Sequence, residues 1–330
     1  MLTVLIATHN GTDTLGRTLE RFCALVSPPG GWKLLVVNNA STDRTEELVL
    51  SFRDRLPLGY LVEPRLGKPH ALNTGLDHVS GDLVVFADDD VLPDPDWLVA
   101  WRSAVARYPE CSIFGGAIEP LYERDPPQWL SRVQRGESIL FSRTEPAPEG
   151  PIPPDGRNVY GPNMAIRTTL LDGGSRYDER FFCGPSGLMG EETEFVRRLV
   201  NRGGQPCFVP NARVRHIVKC GQLAWSYMLR RFYRFGKRHW VLEARDPLPV
   251  AQLFDAPRYM IRQVVTLIAT IPVALLSFDR FRIFTHLQKL AFQLGVLVQA
   301  RASQADAHWR NWTAPRPRGG LVADPGKRSH

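Results

Sequence analysis

The sequence predicts an α/β protein whose core is a mostly parallel sheet flanked by helices, and two features predict it. Short apolar runs and amphipathic stretches alternate from Leu2 to Ala87 in the order β-α-β-α-β-α-β. Parallel strands joined by right-handed helical crossovers require that order. The second feature is Leu83-Val84-Val85-Phe86-Ala87, a strand patterned for burial on both faces, which runs into Asp88-Asp89-Asp90. Open α/β sheets place ligands just outside the carboxyl ends of their strands. Adjacent carboxylates repel one another, and a hard divalent cation taking oxygen ligands relieves the repulsion. Taken alone, the triplet also reads as a solvated acidic turn.

Each element has its own justification. Leu2 to Thr8 is the first strand, with His9-Asn10-Gly11 as its turn, followed by a helix with Leu15, Leu19, Phe22 and Val26 on one face. Trp32 to Val37 is the second strand. Asp43, three residues before Glu46, resembles a capping box for the helix carrying Leu48, Val49 and Phe52. Leu58 to Val62 is a third strand, and Pro69 suits the first turn of a helix through Leu72, Leu76 and Val79. Beyond the triplet come a helix over Asp94 to Tyr108 and a strand over Ser112 to Ile118. Eight prolines between Pro120 and Pro154 read as a long surface excursion (120–154) rather than packed core. A helix opens at Gly190-Glu191-Glu192 and ends at Gly203-Gly204, two short strand-like runs lead to His216, and Leu223 to Glu243 is helical.

Composition sets the limits. At 330 residues, 43% hydrophobic and 23% charged, the chain is ordinary for a globular protein with a large core. The net charge of +7 is uneven: nine Lys or Arg and one Glu fall between Arg213 and Arg245. Such a block suits phosphates or an anionic membrane surface. Five scattered cysteines show no metal-type spacing, so reduced thiols in a cytosolic setting are expected. Met1 runs directly into a strand, so no signal peptide is expected. No stretch reaches the roughly 20 apolar residues of a straightforward spanning helix.

Four pieces, in this order, resemble the family 2 glycosyltransferases: Ala7-Thr8-His9-Asn10, Asn38-Asn39-Ala40-Ser41-Thr42-Asp43, Asp88-Asp89-Asp90 and Gly190-Glu191-Glu192-Thr193-Glu194-Phe195. Gly161-Pro162-Asn163-Met164-Ala165 is a softer fifth match, and the resemblance covers about Met1 to Gly236. It implies a GT-A fold, Rossmann-like, over residues 1–221, and inverting transfer of a sugar from a nucleoside-diphosphate donor. Ala7, Thr8, Asn10, Asn38, Lys68, Asp88 and Asp89 are the nucleotide-sugar residues it implies. Where the family usually has Asp, this chain has Asn38, whose carbonyl can still accept the uracil N3–H, so a UDP-sugar is favoured. Turn and helix capping are the plainer roles of Thr8, Asn38 and Asp43. Lys68 faces either the base or a phosphate, or is an exposed loop lysine. By resemblance Asp90 holds Mn²⁺ or Mg²⁺ on the diphosphate, with His216 completing the site. The cation stabilises charge on the leaving group. The family's general base is the second acid of a Glu-Asp pair; here that residue is Glu192, beside Glu191. Complementing a helix dipole is the plainer role of these acids, and of Glu194 in particular.

Residues 222–300 read differently. The helix with Trp225, Arg230, Arg231, Phe232, Tyr233, Arg234, Lys237 and Arg238 suits a membrane surface or a lipid-linked acceptor better than nucleic acid. Val264 to Phe278 carries no charge across 15 residues but contains Pro272, and Ile283, Leu287, Leu290, Leu294 and Leu297 follow on one helical face. Two short apolar helices joined by Asp279-Arg280 make a hairpin for the membrane interface or for homodimerisation. The basic tail, 301–330, is expected to be disordered. The reading is a glycosyltransferase at the cytoplasmic face of the cell membrane, acting on a saccharide or lipid-linked acceptor. The alternatives are a metal-dependent nucleotidyltransferase and a non-catalytic sugar-nucleotide or membrane-binding scaffold.

Overall fold

A computed structural model describes residues 1–133, 136–154, 158–181, 188–243, 252–253 and 256–305. Strands β1 (Leu2–Thr8), β2 (Trp32–Asn39), β3 (Leu58–Glu63) and β4 (Leu83–Ala87) form the parallel half of a nine-stranded sheet, in the order β3-β2-β1-β4. Helices α1 (Leu15–Cys23), α2 (Thr45–Leu50) and α3 (Lys68–Leu76) connect them. The other half holds β5 (Val91–Pro93), β6 (Ile113–Tyr122), β7 (Gly150–Pro151), β8 (Asn163–Arg167) and β9 (Pro206–Val218). There β8 runs antiparallel between β4 and β6, whereas β6 and β9 pair in parallel. The remaining helices are α4 (Trp97–Arg107), α5 (Gly136–Phe141), α6 (Glu191–Asn201), α7 (Trp225–Glu243), α8 (Arg258–Ala269), α9 (Ile271–Leu276) and α10 (Arg280–Ala305).

Side-chain alternation along β1 divides the core between the two faces of the sheet. Leu2, Val4 and Ile6 pack with Trp97, Trp101 and Phe114, while Leu5 packs with Leu72, Phe86 and Phe195. All five side chains of β4 are buried, as its unbroken apolar run requires. Leu15, Leu19 and Phe22 are fully buried on α1; Val26 lies past the helix end and is exposed. Asp43 does not make the expected capping box. Its carboxylate accepts from the backbone N–H and hydroxyl of Thr45 and from those of Thr12, pinning the β1–α1 loop to the start of α2.

The segment expected as a surface excursion is in part core. Leu130, Val133, Leu140 and Phe141 are buried with Met228 and Phe232 of α7 and Phe284 of α10, and Trp129 lies 4.5 Å from Phe284. Its prolines hid an aromatic and aliphatic pattern too irregular to read as a helix or strand. The two runs before His216 are one bent strand, β9, with a register shift against β6 between Gly116 and Ala117.

The C-terminal hairpin also differs from expectation. Helices α8 and α9 together span Arg258–Leu276, 19 residues, and by length and composition this stretch could cross a membrane. The charge-free run alone missed it because Arg258 and Arg262 sit inside the helix. Pro272, which lacks an N–H and crowds the preceding turn, sits just past the break at Thr270. The second arm, α10, packs along α7, and the two backbones touch at a pair of glycines. A Cβ on Gly236 would lie 2.0 Å from the Phe292 carbonyl oxygen, and one on Gly295 would lie 2.0 Å from that of Tyr233. Only glycine fits at that crossing. Helix α10 continues to Ala305, so residues 301–305 of the expected disordered tail are helical; 306–330 lie outside the described residues. No disulfide links the described cysteines.

Candidate active site

The register of the parallel strands assembles the site. Thr8 pairs with Asn38, and Ile6 with Ala87, so the loops after β1, β2 and β4 leave the sheet side by side. Asn10, at a positive φ of 51°, accepts the Thr42 N–H through its side-chain carbonyl. The Asn38 carbonyl accepts the Ser41 N–H and its amide donates to the Tyr60 hydroxyl. Both asparagines therefore shape the loops, and Asn38 has one acceptor lone pair left for a base. The Thr8 hydroxyl donates to Asp89 at 2.5 Å, which ties the first loop to the acidic triplet.

The triplet splits three ways. Asp88 accepts from the Lys68 ammonium at 2.5 Å. Asp89 turns back to Thr8. Asp90 faces β9, where β5 sets Val91 opposite His216, and its Oδ2 lies 3.2 Å from His216 Nε2. His216 Nδ1 lies 2.9 Å from the Phe141 carbonyl. A carbonyl only accepts, so Nδ1 carries the proton and Nε2 is presented to the site. Burial works against the charge of both partners, but their attraction outweighs it: Asp90 is held below the usual carboxylate range and His216 above the usual imidazole range. The second oxygen of Asp90, Oδ1, is buried with no hydrogen-bond partner among the described residues. An orphaned carboxylate oxygen beside an oriented imidazole fits a divalent cation. Among the described residues no three acidic, imidazole or thiol groups form a ready-made cage.

Across the cleft, α6 opens at Gly190, whose φ of 99° few other residues adopt, with the Arg238 side chain where a Cβ would stand. Glu191 is buried and accepts the Gly190 N–H. Burial first, then the charge of Glu192, pushes its carboxyl up to about 7, against the pull of Lys68. Glu194 is not poised over the cleft: it makes a two-pronged ion pair with Arg198 one turn on. Lys68, Asp88, Gly161, Tyr177, Glu191 and Glu192 line one small cavity. Burial disfavours the Lys68 charge, but Asp88 and then Glu191 outweigh it, so it stays protonated. Of the softer match, Asn163 is a structural hub. It is fully buried, donating to the carbonyls of Ala117 and Ala212 and accepting from the Trp97 indole.

The structure thus brings together Lys68, Asp88, Glu191 and Glu192, and separately Asp90 with His216. Ala7, Thr8, Asn10 and Asn38 form the adjoining rim. Sequence reasoning missed Tyr177 and the Phe141 carbonyl. Nothing local marks a backbone carbonyl as an imidazole anchor, and Arg176-Tyr177-Asp178-Glu179 reads as an ordinary polar turn.

One consequence is a pH dependence of stability. Burial, then the neighbouring Asp90, pushes Asp89 up to about 7 despite the Thr8 bond. Asp89 and Glu191 hold protons in the folded state that an unfolded carboxyl, titrating near 4, has lost. Their contribution to stability is therefore full below about pH 4 and is lost as pH rises to about 7. Asp89→Asn is expected to flatten the fall in melting temperature between pH 5 and 7.5 in metal-free protein. An unchanged slope would show that Asp89 titrates normally.

An open α/β sheet with clustered acids at its carboxyl edge, facing a second acidic pair on a helix, is the arrangement that the resemblance to GT-A transferases leads one to expect. Residues 3–171 match the family described as Glycosyl transferase family 2, and the chain belongs to that family. The succinoglycan biosynthesis protein ExoM of Rhizobium meliloti (strain 1021) is 28% identical over 229 residues, 68% of this chain and 70% of the relative. S. aureus TarS 1-349 in complex with UDP has the same fold, with a TM-score of 0.54 and 14% identity over 92% of each chain. So has the mannosyltransferase PcManGT from Pyrobaculum calidifontis in complex with GDP-Man and Mn²⁺: TM-score 0.52, 20% identity, 94% of this chain and 82% of that one.

Proposed function

We propose that this chain is an inverting, metal-dependent glycosyltransferase that moves a sugar from a nucleoside diphosphate to a hydroxyl of a polysaccharide or lipid-linked acceptor. The observation that carries the proposal is Lys68, whose ammonium binds Asp88 and feels Glu191 and Glu192 within one cavity. Donor-side and acceptor-side acids thereby share a single cleft. The nucleotide would sit over Ala7, Thr8 and Asn38, and its diphosphate beside Asp88 and Asp90. Asp90 and His216 would hold Mn²⁺ or Mg²⁺, which supplies charge stabilisation to the departing diphosphate. Glu192 takes the acceptor hydroxyl proton as the new glycosidic bond forms on the opposite face of the sugar carbon. One base and one displacement give inversion. The bound UDP of TarS and the GDP-Man and Mn²⁺ of PcManGT support the donor class, and the ExoM name supports a polysaccharide product. A UDP-sugar remains the favoured donor through the free lone pair of Asn38. Incubation with a panel of UDP- and GDP-sugars and Mn²⁺ tests this: turnover of one donor is expected, and turnover of none overturns it.

We further propose that the protein works at the cytoplasmic face of a membrane. Val265, Ile268, Val273, Leu275, Leu276 and Phe278 are exposed on α8, α9 and the turn after them. At about 25 cal/mol per Å² of apolar surface, housing them in lipid is worth several kcal/mol. Basic residues of α7 add attraction to anionic headgroups. Deleting the whole hairpin would strip α10 from α7, so point substitution is the cleaner test. Changing Val265, Ile268, Val273, Leu276 and Phe278 to Ser is expected to move the protein from the membrane to the soluble fraction. A wild type that is a soluble dimer, made monomeric by those changes, would make the hairpin a subunit interface instead.

A further inference from the structure

We propose that the cavity between Tyr177 and the Glu191–Glu192 pair is a slot for one hydroxyl group of the transferred sugar, with the Tyr177 hydroxyl donating to it. The proposal rests on the cleft being the donor site. Tyr177 is 3% exposed, and its buried hydroxyl has no hydrogen-bond partner among the described residues. Leaving a buried hydroxyl unsatisfied costs stability, so its retention calls for a use. Nor can the ring turn away easily. It stacks on Phe195 at 4.1 Å and 23°, and meets Phe86 edge-on at 5.9 Å and 74°. Asn73 of α3 fixes the backbone, accepting the Tyr177 N–H at 2.8 Å and donating to its carbonyl at 3.0 Å.

The cavity that Tyr177 lines is about 10 Å³, room for one water-sized group and not for a sugar ring. Gly161 presents no side chain at its wall: a Cβ there would stand 3.6 Å from Glu192. The lining also selects the ligand's chemistry. Asp88, Glu191 and Glu192 disfavour an anion, and burial with their charges holds the phenol protonated, so it serves as a donor. A group that accepts from Tyr177 or Lys68 and donates to a carboxylate satisfies both kinds of wall at once, and an alcohol does so. A site built to bind a hydroxyl in this way rejects the analogue that lacks it, because its own buried groups are left unpaired.

The test uses the full chain, the donor that the wild type turns over, and that donor's monodeoxy analogues. Wild type is expected to be about 10- to 100-fold slower in kcat/KM on one deoxy analogue. Tyr177→Phe is expected to be slowed about 10-fold on the intact donor, to lose its discrimination against that one analogue, and to melt no lower than wild type. Phe keeps the ring contacts, so a purely structural role for the hydroxyl would leave deoxy selectivity untouched. Wild-type kcat/KM and selectivity in Tyr177→Phe would overturn the proposal and leave the cavity as a trapped-water site. A wild type that turns over no nucleotide sugar would overturn the donor site, and this slot with it.

Discussion

Glu192→Gln is expected to bind donor like the wild type and to transfer sugar about 10²- to 10⁴-fold more slowly, the range a positioned general base contributes. The substitution keeps the shape of the side chain and removes its ability to take a proton. The choice of Glu192 over Glu191 follows from their surroundings. Glu191 is buried and accepts the Gly190 N–H, whereas Glu192 is half-buried on the cavity wall, where an acceptor hydroxyl can reach it. Glu191→Gln should therefore cost less than Glu192→Gln. Single-turnover rates with saturating donor measure this directly, and a Glu192→Gln rate within a few-fold of wild type would move the role to Glu191.

Asp90→Asn is expected to lower divalent-dependent affinity for a nucleoside diphosphate by about 10²-fold or more. Mutating even outer-shell partners of a bound metal costs 10- to 100-fold, and Asp90 is argued to be a direct ligand. Its Oδ1 is the buried oxygen with no partner among the described residues, and Asn at that position offers a neutral carbonyl to the ion. His216→Ala should weaken binding less, since the carboxylate brings the charge. Calorimetric titration of nucleoside diphosphate with Mn²⁺ reads both effects, and unchanged Mn²⁺-dependent affinity in Asp90→Asn would remove the metal assignment. Thermal melting serves as the control, because the pair with His216 is lost as well.

The parallel half of the fold was legible because its signals are local. An apolar run as dense as Leu83 to Ala87 has few alternatives to a buried strand, and Pro69 marks a helix start. The acidic triplet and the Glu191–Glu192 pair were legible as chemistry for the same reason: the residue types sit adjacent in the chain. What the chain could not show was pairing at long range. Asp89 and Asp90 are neighbours, yet one binds Thr8 and the other His216, a division made by the strand order β1-β4 on one side and β5-β9 on the other. The burial of Leu130 and Phe141 depends on α7 and α10 arriving from nearly 100 or more residues later. Asn38 looked like a base contact, and only the fold shows that half its acceptor capacity is spent on Ser41. Glu194 lies in the first turn of α6, as helix-dipole complementation expects, and its ion pair with Arg198 is the part that the sequence did not show.

In the proposed reaction this cleft breaks the sugar–phosphate bond of a nucleotide sugar with the help of a divalent ion. Phosphorus NMR of the reaction mixture, with wild-type chain, the donor selected from the panel and Mn²⁺, observes that bond directly. A nucleoside diphosphate is expected as the phosphorus product, formed with Mn²⁺ or Mg²⁺ and stopped by a chelator. Release of pyrophosphate or of a nucleoside monophosphate, or turnover indifferent to the chelator, would contradict it.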